Sequence, residues 1–425
     1  MQPTYSRKIQ HLQESATIAI STLARELKSQ GRDILSFSAG EPDFDTPQAI
    51  KDEAKKALDS GFTKYTAVAG IPELKQAIAD KLKRDNGLEY SPKEILVSNG
   101  AKQSLFNVFQ AIVDDGDEVI IPAPYWVTYP EIVEYSGGKS VIVDTDFESG
   151  FKLTPAMLQK HITPKTKAIV LTTPSNPTGM VYSRAELEAI ALTLKDTNIW
   201  IIADEIYEKL VYDGKFCSVG AIDSASLERT ITINGLSKSV AMTGWRMGYL
   251  ACKDTHLVKM MDNLQSQCTS NINSITQKAA IVALNGLVDA QIESMRLAFK
   301  NRRDIACDSI SKIPQLKVLK PQGSFYLFIN INGVCDTKPS LKSKDSSAQS
   351  KVDSMEFCKQ LLESQGVALV PGSAFGAEGF VRMSFACNEK QIIEGIKRIE
   401  CFINERFLVN NCKKDSNAQY KVISM

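Results

Sequence analysis

Residues 230–251 read TITINGLSKSVAMTGWRMGYLA. Two short apolar runs, TITI at 230–233 and GYLAC at 248–252, bracket a polar stretch punctuated by glycine. Short apolar and β-branched runs bounded by glycine have the pattern of buried strands. Between them, Ser237, Lys238, Ser239, Thr243 and Arg246 fall within ten residues, with Gly244 among them and Gly248 just beyond. Glycines admit close backbone approach, hydroxyls exchange hydrogen bonds with phosphate oxygens, and arginine offers a bidentate fork. On these residues alone, a phosphate site and a solvated basic loop both stand.

Working outward, the punctuation repeats. EILVS, DEVIIPAP, KSVIVDTD, KAIVLTTP and IWIIADE read as further strands, continuous and apolar as parallel strands buried on both faces are. Helical patterns alternate with them: IPELKQAIADKLKRDNG, with proline near its start and glycine at its end, then KQSLFNVFQAIVDDG and RAELEAIALTLKDTN. Strand–helix alternation predicts an α/β domain with a mostly parallel sheet covered by helices, placed at residues 49–294. Ahead of it, 15–31 reads as a helix, with Ile18, Leu23 and Leu27 at helical spacing and Gly31 as its C-cap. Gln48–Ser60 reads as another, with Ile50, Ala54, Ala57 and Leu58 together and Gly61 closing it.

Beyond a long helix at 289–313 the pattern changes. LKVLKPQGSFYLFININ alternates like a half-exposed strand. A helix (SMEFCKQLLESQG), two strands (VALVPGS, GFVRMSFA) and a closing helix (EKQIIEGIKRIECFINERF) follow. Segments 1–48 and 295–425 therefore read as a smaller α+β domain. Within it, the Ser- and Lys-rich stretch 333–353 reads as a mobile loop, and 408–425 as a loosely held polar tail.

Composition bounds the function. A net charge of +1 on 425 residues argues against broad nucleic-acid binding, which needs a basic surface. Nine scattered cysteines with no C-x-x-C pair fit a reducing compartment, and three separated histidines make no metal motif, so no metal is expected. Neither a leader-like apolar segment near residue 1 nor an 18-residue apolar span occurs, so the chain reads as cytoplasmic, with no membrane partner.

Three strand ends collect polar residues: TTPSNPTG after KAIVL, DEIY after IWIIA, and NGLSKSVAMTGWRMGY after TITI. Ligands of open α/β sheets bind at such carboxyl ends. Here the sequence resembles a known family, the class I aminotransferases of the fold-type I pyridoxal phosphate enzymes, nearest in pattern to their bacterial aspartate aminotransferase subgroup. The resemblance rests on SKSVAMTGWRMGY (237–249), PSNPTG (174–179), ADEIYEKLVYDG (203–214), SAGEPDFDTP (38–47), KYTAVAGIPELK (64–75), PAPYWVTYP (122–130) and FVRMSFA (380–386), and it runs to about residue 405.

The resemblance implies roles position by position. Lys238 carries pyridoxal 5'-phosphate as a Schiff base, which only an amine can form, and later acts as a general base. Asp204 faces the pyridine nitrogen and keeps it protonated. Tyr207 and Asn176 hydrogen-bond the ring oxygen, and Trp126 stacks on the ring. Arg246, Ser237 and the helix start Gly100–Ala101–Lys102 hold the phosphate. Where many relatives have a hydroxyl three residues before the lysine, this chain has Gly235, leaving Ser237 as the substitute. Tyr65 reaches the phosphate of a neighbouring subunit, which implies a homodimer with shared sites. Arg382 clamps the substrate carboxylate and Gly40 closes over the amino acid, while Asn176 and Trp126 also border the substrate.

Lys102 resembles the lysine that meets the distal carboxylate of aspartate or glutamate, and ESATIAIS resembles the helix that closes over that site. The implied reaction is ping-pong transfer from L-aspartate to 2-oxoglutarate. Its alternatives are aromatic, prephenate or alanine transamination, or C–S bond cleavage by elimination.

Overall fold

The computed structural model describes residues 4–10, 12, 15–337 and 352–405. Thirteen strands occur among them. β1 (Leu35–Ser36) precedes the main series. That series is β2 (Ile95–Asn99), β3 (Glu118–Ala123), β4 (Lys139–Asp144), β5 (Thr166–Thr172), β6 (Trp200–Asp204), β7 (Thr230–Gly235) and β8 (Met247–Ala251). Five short strands follow: β9 (Lys317–Val318), β10 (Tyr326–Asn330), β11 (Val367–Ala368), β12 (Val370–Pro371) and β13 (Phe380–Ser384).

The chain divides into two compact units. The first comprises 41–298 and 322–324, with residues 4–10 and 12; the second comprises 15–40, 299–321 and the described residues from 325 on. Residues 41–48 and 295–298, placed with the smaller domain by the sequence pattern, thus pack with the first unit.

The first unit is built on a seven-stranded sheet in the order β2-β8-β7-β6-β5-β3-β4. β7-β6-β5-β3-β4 pair in parallel, whereas β8 is antiparallel to both β2 and β7. The reason is in the connections: helices separate the parallel strands, but β7 reaches β8 through a loop too short for a crossover. Burial on both faces is direct. In β6, Ile202 joins one apolar cluster and Ile201 and Ala203 join another. A third cluster gathers Val97, Tyr249 and Ala251 under the helices Gln48–Asp59, Pro72–Lys81 and Ser274–Leu284. One strand departs from the expected pattern: β4 is an edge, and only its Val143 is buried.

Two helix faces also differ from their reading. In helix Ala16–Ser29 the face turned to the core is Ile20, Ala24 and Leu27, while Ile18 and Leu23 are exposed. In helix Gln48–Asp59, Ile50 and Ala57 are buried but Leu58 is not. Positions i, i+4 and i+7 share a stripe, and small Ala24 fits the closest approach, so spacing among large residues alone picked the wrong stripe.

The second unit holds the sheet β12-β13-β10-β9, all antiparallel, and the parallel pair β1-β11. β10 lies between β13 and β9, so Tyr326 to Ile329 are all buried, not half-exposed as expected. The segment 338–351 and the tail from 406 lie outside the described residues. Among the described residues no helix is long and apolar enough to cross a membrane, and no cluster of potential metal ligands occurs.

Under the carboxyl end of β6 lies a buried polar cluster. Glu208 pairs with Lys81 and accepts a 2.6 Å hydrogen bond from Asn86, which in turn accepts from Lys81 at 2.8 Å. Glu205, fully buried, accepts from the Ser218 hydroxyl at 2.7 Å and the Val219 N–H at 2.9 Å. Burial pushes the Glu205 carboxyl up to about 8, with the Glu208 charge adding to the rise. A carboxyl raised in the folded state binds its proton more tightly there than in the unfolded chain. The contribution of Glu205 to stability is therefore fully present below the unfolded value near 4.5 and is lost as pH climbs towards 8. Glu205→Gln should remove from the pH–stability curve a slope of up to about 1.4 kcal/mol per pH unit in that window. Urea titrations of both proteins at several pH values will measure it.

Candidate active site

Asp204 ends β6, beside Thr172 at the end of β5 and Ile233 in β7. Its Oδ2 accepts a 2.7 Å hydrogen bond from the Tyr129 hydroxyl, and its Oδ1 accepts from the Ile206 N–H at 3.3 Å. The Tyr129 oxygen also lies 2.8 Å from the Thr172 hydroxyl. Burial raises the Asp204 carboxyl above the ordinary carboxylate range; the Tyr129 bond, the Ile206 N–H and the Lys238 charge oppose the rise. Burial likewise lifts the Tyr129 phenol well above its usual value. It therefore stays a proton donor to Asp204.

From Tyr129 the contacts run on. Its ring meets Trp126 edge to face, with centroids 5.5 Å apart at 88°. The Lys102 ammonium sits 4.9 Å over the Trp126 ring. Burial, and then the Arg246 charge, depress the Lys102 pKa. Arg246 donates to the carbonyls of Thr243 (3.0 Å) and Asn99 (3.4 Å), and its guanidinium lies against Gly100, where a Cβ would meet Nη2 at 2.6 Å. Lys238, Asp204, Tyr129, Trp126, Lys102, Arg246 and Gly100 thus form one continuous string.

Glycines shape the string at two places. Gly100, at φ 81°, begins the helix Ala101–Ile112, whose first N–H groups have no intrahelical acceptor. A Cβ at Gly248 would land on the Ala101 nitrogen, so only glycine lets this helix start rest on β8. Gly235 pairs with Gly248, and a Cβ there would meet the Met247 carbonyl at 2.8 Å. Any hydroxyl-bearing residue at 235 is shut out by this packing, and buried Ser237 is the neighbouring hydroxyl. In the loop, Ala241 (φ 51°) and Arg246 (φ 56°) hold left-handed conformations costing on the order of 1 kcal/mol each, strain of the kind that collects at functional sites.

Asn176 and Tyr207 are both mostly buried, in the turns that follow β5 and β6. The Asn176 turn is braced from residues that carried no signal: Gln322 and Gly323 N–H groups donate to the Gly179 carbonyl at 2.9 and 2.8 Å. Tyr65 stands apart, its side chain 91% exposed.

Arg382 and Gly40 belong to the second unit. Arg382 is buried on β13, where its Nη2 donates to the Ser38 carbonyl at 2.7 Å. Its guanidinium lies 4.4 Å from the Tyr326 ring centroid and 5.0 Å from that of Phe375. Gly40 leaves room for the Tyr326 hydroxyl, which a Cβ would meet at 2.7 Å. Tyr129, Thr172 and Tyr326 were not singled out from sequence. Tyr129 had a usable signal, since it falls in the motif PAPYWVTYP three residues after Trp126.

An anion-receiving helix start beside an arginine, an aromatic face, a buried carboxylate and an amine make a receptor for a phosphorylated, ionisable ring. The model of the family "Aminotransferase class I and II" matches residues 32–399. The chain belongs to this family. An aspartate aminotransferase of Bacillus sp. strain YM-2 is 45% identical over 404 residues, covering 95% of this chain and all of the relative. A probable aspartate/prephenate aminotransferase of Aquifex aeolicus is 44% identical over 407 residues, again covering 95% and 100%. The structure of the Thermus thermophilus aspartate aminotransferase with maleate superposes with a TM-score of 0.88 at 41% identity, covering 94% of this chain and all of that one.

The protein is accordingly a pyridoxal-phosphate-dependent aminotransferase of fold type I. The residues present fit the cofactor. The cradle at Gly100 and Gly248 beside Arg246 suits its phosphate, and the buried Asp204 carboxyl, whose charged form burial disfavours, would gain from a cationic ring nitrogen.

Proposed function

We propose that this aminotransferase moves the amino group of L-aspartate to 2-oxoglutarate, giving oxaloacetate and L-glutamate. The observation that carries the substrate choice is Lys102, a cation held over Trp126 whose charged form is disfavoured by desolvation and by Arg246. A cation so desolvated gains from a second carboxylate. The names of the relatives, and the maleate (itself a dicarboxylate) in the Thermus structure, support the same class. Prephenate, named for the Aquifex relative, also carries two carboxylates and is the second candidate.

Lys238 would hold the cofactor through its amine and, when its amine is free, would carry the proton lost from the substrate Cα. The bound cofactor supplies an electron sink for that proton loss. Asp204 keeps the ring nitrogen protonated, with Tyr129 opposing the rise that burial imposes and orienting the carboxylate. Tyr207 and Asn176 donate to the ring oxygen, and Trp126 covers the ring. Arg246, Ser237 and the N–H groups at Gly100–Lys102 receive the phosphate. Arg382 receives the substrate α-carboxylate, with Gly40 beside it. The working form is a homodimer in which Tyr65 serves the partner's phosphate. The 91% exposure of Tyr65 supports a covered surface there. The scatter of its cysteines supports a cytoplasmic setting.

Absorbance titration tests the reaction. The visible band of the bound cofactor should shift with L-aspartate and return with 2-oxoglutarate. A band indifferent to aspartate but responsive to phenylalanine or alanine would move the substrate. Pyruvate released from cystathionine without any oxo acid would point to elimination. Tyr129→Phe tests the Asp204 assignment: loss of one hydrogen bond to a charged group should weaken cofactor binding about 10-fold or more, read as its dissociation constant.

A further inference from the structure

Tyr65 sits at the tip of a loop that two buried glutamines hold from below. Gln277 is fully buried on helix Ser274–Leu284 and spends its whole amide on this region. Its Oε1 accepts from the Ile71 N–H at 2.8 Å, and its Nε2 donates to the Thr66 hydroxyl at 2.9 Å and to the Ile272 carbonyl at 3.1 Å. One turn earlier on the same helix, the Ser274 hydroxyl donates to the Phe62 carbonyl at 2.9 Å. The helix therefore grips the chain on both sides of residues 63–65.

Gln265, also fully buried, donates to the Val68 carbonyl at 3.1 Å and the Val97 carbonyl at 2.8 Å, and accepts from Asn107 at 2.9 Å. The Val97 N–H donates to the Ala69 carbonyl at 3.1 Å. Against Val97 packs Gly70, at φ 103°, where a Cβ would meet the valine side chain at 2.7 Å.

Buried amides with every polar atom paired are costly to disturb and fix what they hold. What they hold here is not core but three exposed residues, Thr63 to Tyr65, ending in a tyrosine that is 91% exposed. We infer that Gln277 is a positioning residue for the cofactor site of the other protomer: it acts through Thr66 to hold the Tyr65 phenol where the neighbouring phosphate can receive it. The inference rests on the shared-site reading of Tyr65. Pre-organisation is the physical gain, because a tyrosine on a loose loop would lose on ordering much of what its hydrogen bond supplies.

Hybrid dimers separate this role from ordinary stabilisation. Two differently tagged chains are co-expressed, with Lys238→Ala in one so that a single site per dimer can hold the cofactor through its lysine. Release of pyridoxal 5'-phosphate from that site is followed by loss of its visible absorbance. With Gln277→Ala on the Lys238→Ala chain, the loaded site is wild type but is served by the altered loop, and release should be about 10-fold faster than in the hybrid with no loop change. With Gln277→Ala on the lysine-bearing chain, release should stay at the control rate. Thr66→Val, which removes the hydroxyl acceptor but leaves Gln277 its bonds to Ile71 and Ile272, should reproduce the pattern in milder form and serves if Gln277→Ala does not fold. Equal release from both hybrids, or a loss that follows the lysine-bearing chain, overturns the proposal. Tyr65→Phe in the same two arrangements tells the failures apart. No effect in trans would sink the shared site itself, whereas a trans effect of Tyr65→Phe without one for Gln277→Ala or Thr66→Val would sink only the positioning role.

Discussion

Lys238→Ala should lower turnover by on the order of 10⁴-fold or more, with the fold intact. The amine has two duties, holding the cofactor and moving the Cα proton, and general acid–base work alone accounts for about 10²–10⁴-fold. No neighbour can take over: the other lysine of the string, Lys102, is held over Trp126 and points its charge at the ring. Lys238 lies in a loop between β7 and β8 rather than in either strand, so its loss leaves both ladders unchanged. Steady-state assays with L-aspartate and 2-oxoglutarate, beside a circular dichroism spectrum, will check this. A folded variant working at near the wild-type rate would remove the basis of the assignment.

Lys81→Met should cost about 3–5 kcal/mol of stability, the usual penalty for leaving one partner of a buried ion pair alone. Both side chains are almost inaccessible, at 5% and 6% exposure, so water cannot compensate the orphaned Glu208 carboxylate. The double change Lys81→Met with Glu208→Leu removes both charges and should be less destabilised than Lys81→Met alone, because the orphan disappears. Urea midpoints of wild type, the two single variants and the double variant close the cycle. A double variant as unstable as the sum of the singles would mean that the pair acts through something other than mutual compensation. Since Glu208 follows Tyr207, the single variants should also loosen the cofactor.

The central sheet was legible because its strands are apolar runs and its connections carry helix punctuation. The strand end with Asp204, the glycine-marked lysine loop and the PSNPTG turn follow from that pattern together with family resemblance. Several features were not legible, each for a physical reason. The reversal of β8 depends on the absence of a crossover, not on its own residues. The exposed stripe of helix Ala16–Ser29 was misjudged because a small alanine, not a large residue, marks the closest approach. The burial of β10 comes from having neighbours on both sides, which no local alternation records. Tyr129 escaped notice because its importance lies in a contact with Asp204, 75 positions away. Gln322 and Gly323 support the Asn176 turn across a still longer stretch of sequence.

The pairing of Gly235 with Gly248 gives the lysine loop a fixed doorway: both ends are pinned by the same ladder, whatever lies between. Side-chain changes at its less buried positions, Lys238, Thr243 and Gly244, leave the ladder and the buried anchors Val240 and Met242 in place, so the lysine can be altered in a protein that still folds. Foldability and cofactor retention are thus separately heritable properties of this chain. A population of variants could drift through this segment without being culled as misfolded, and reach new chemistry or none on an unaltered scaffold.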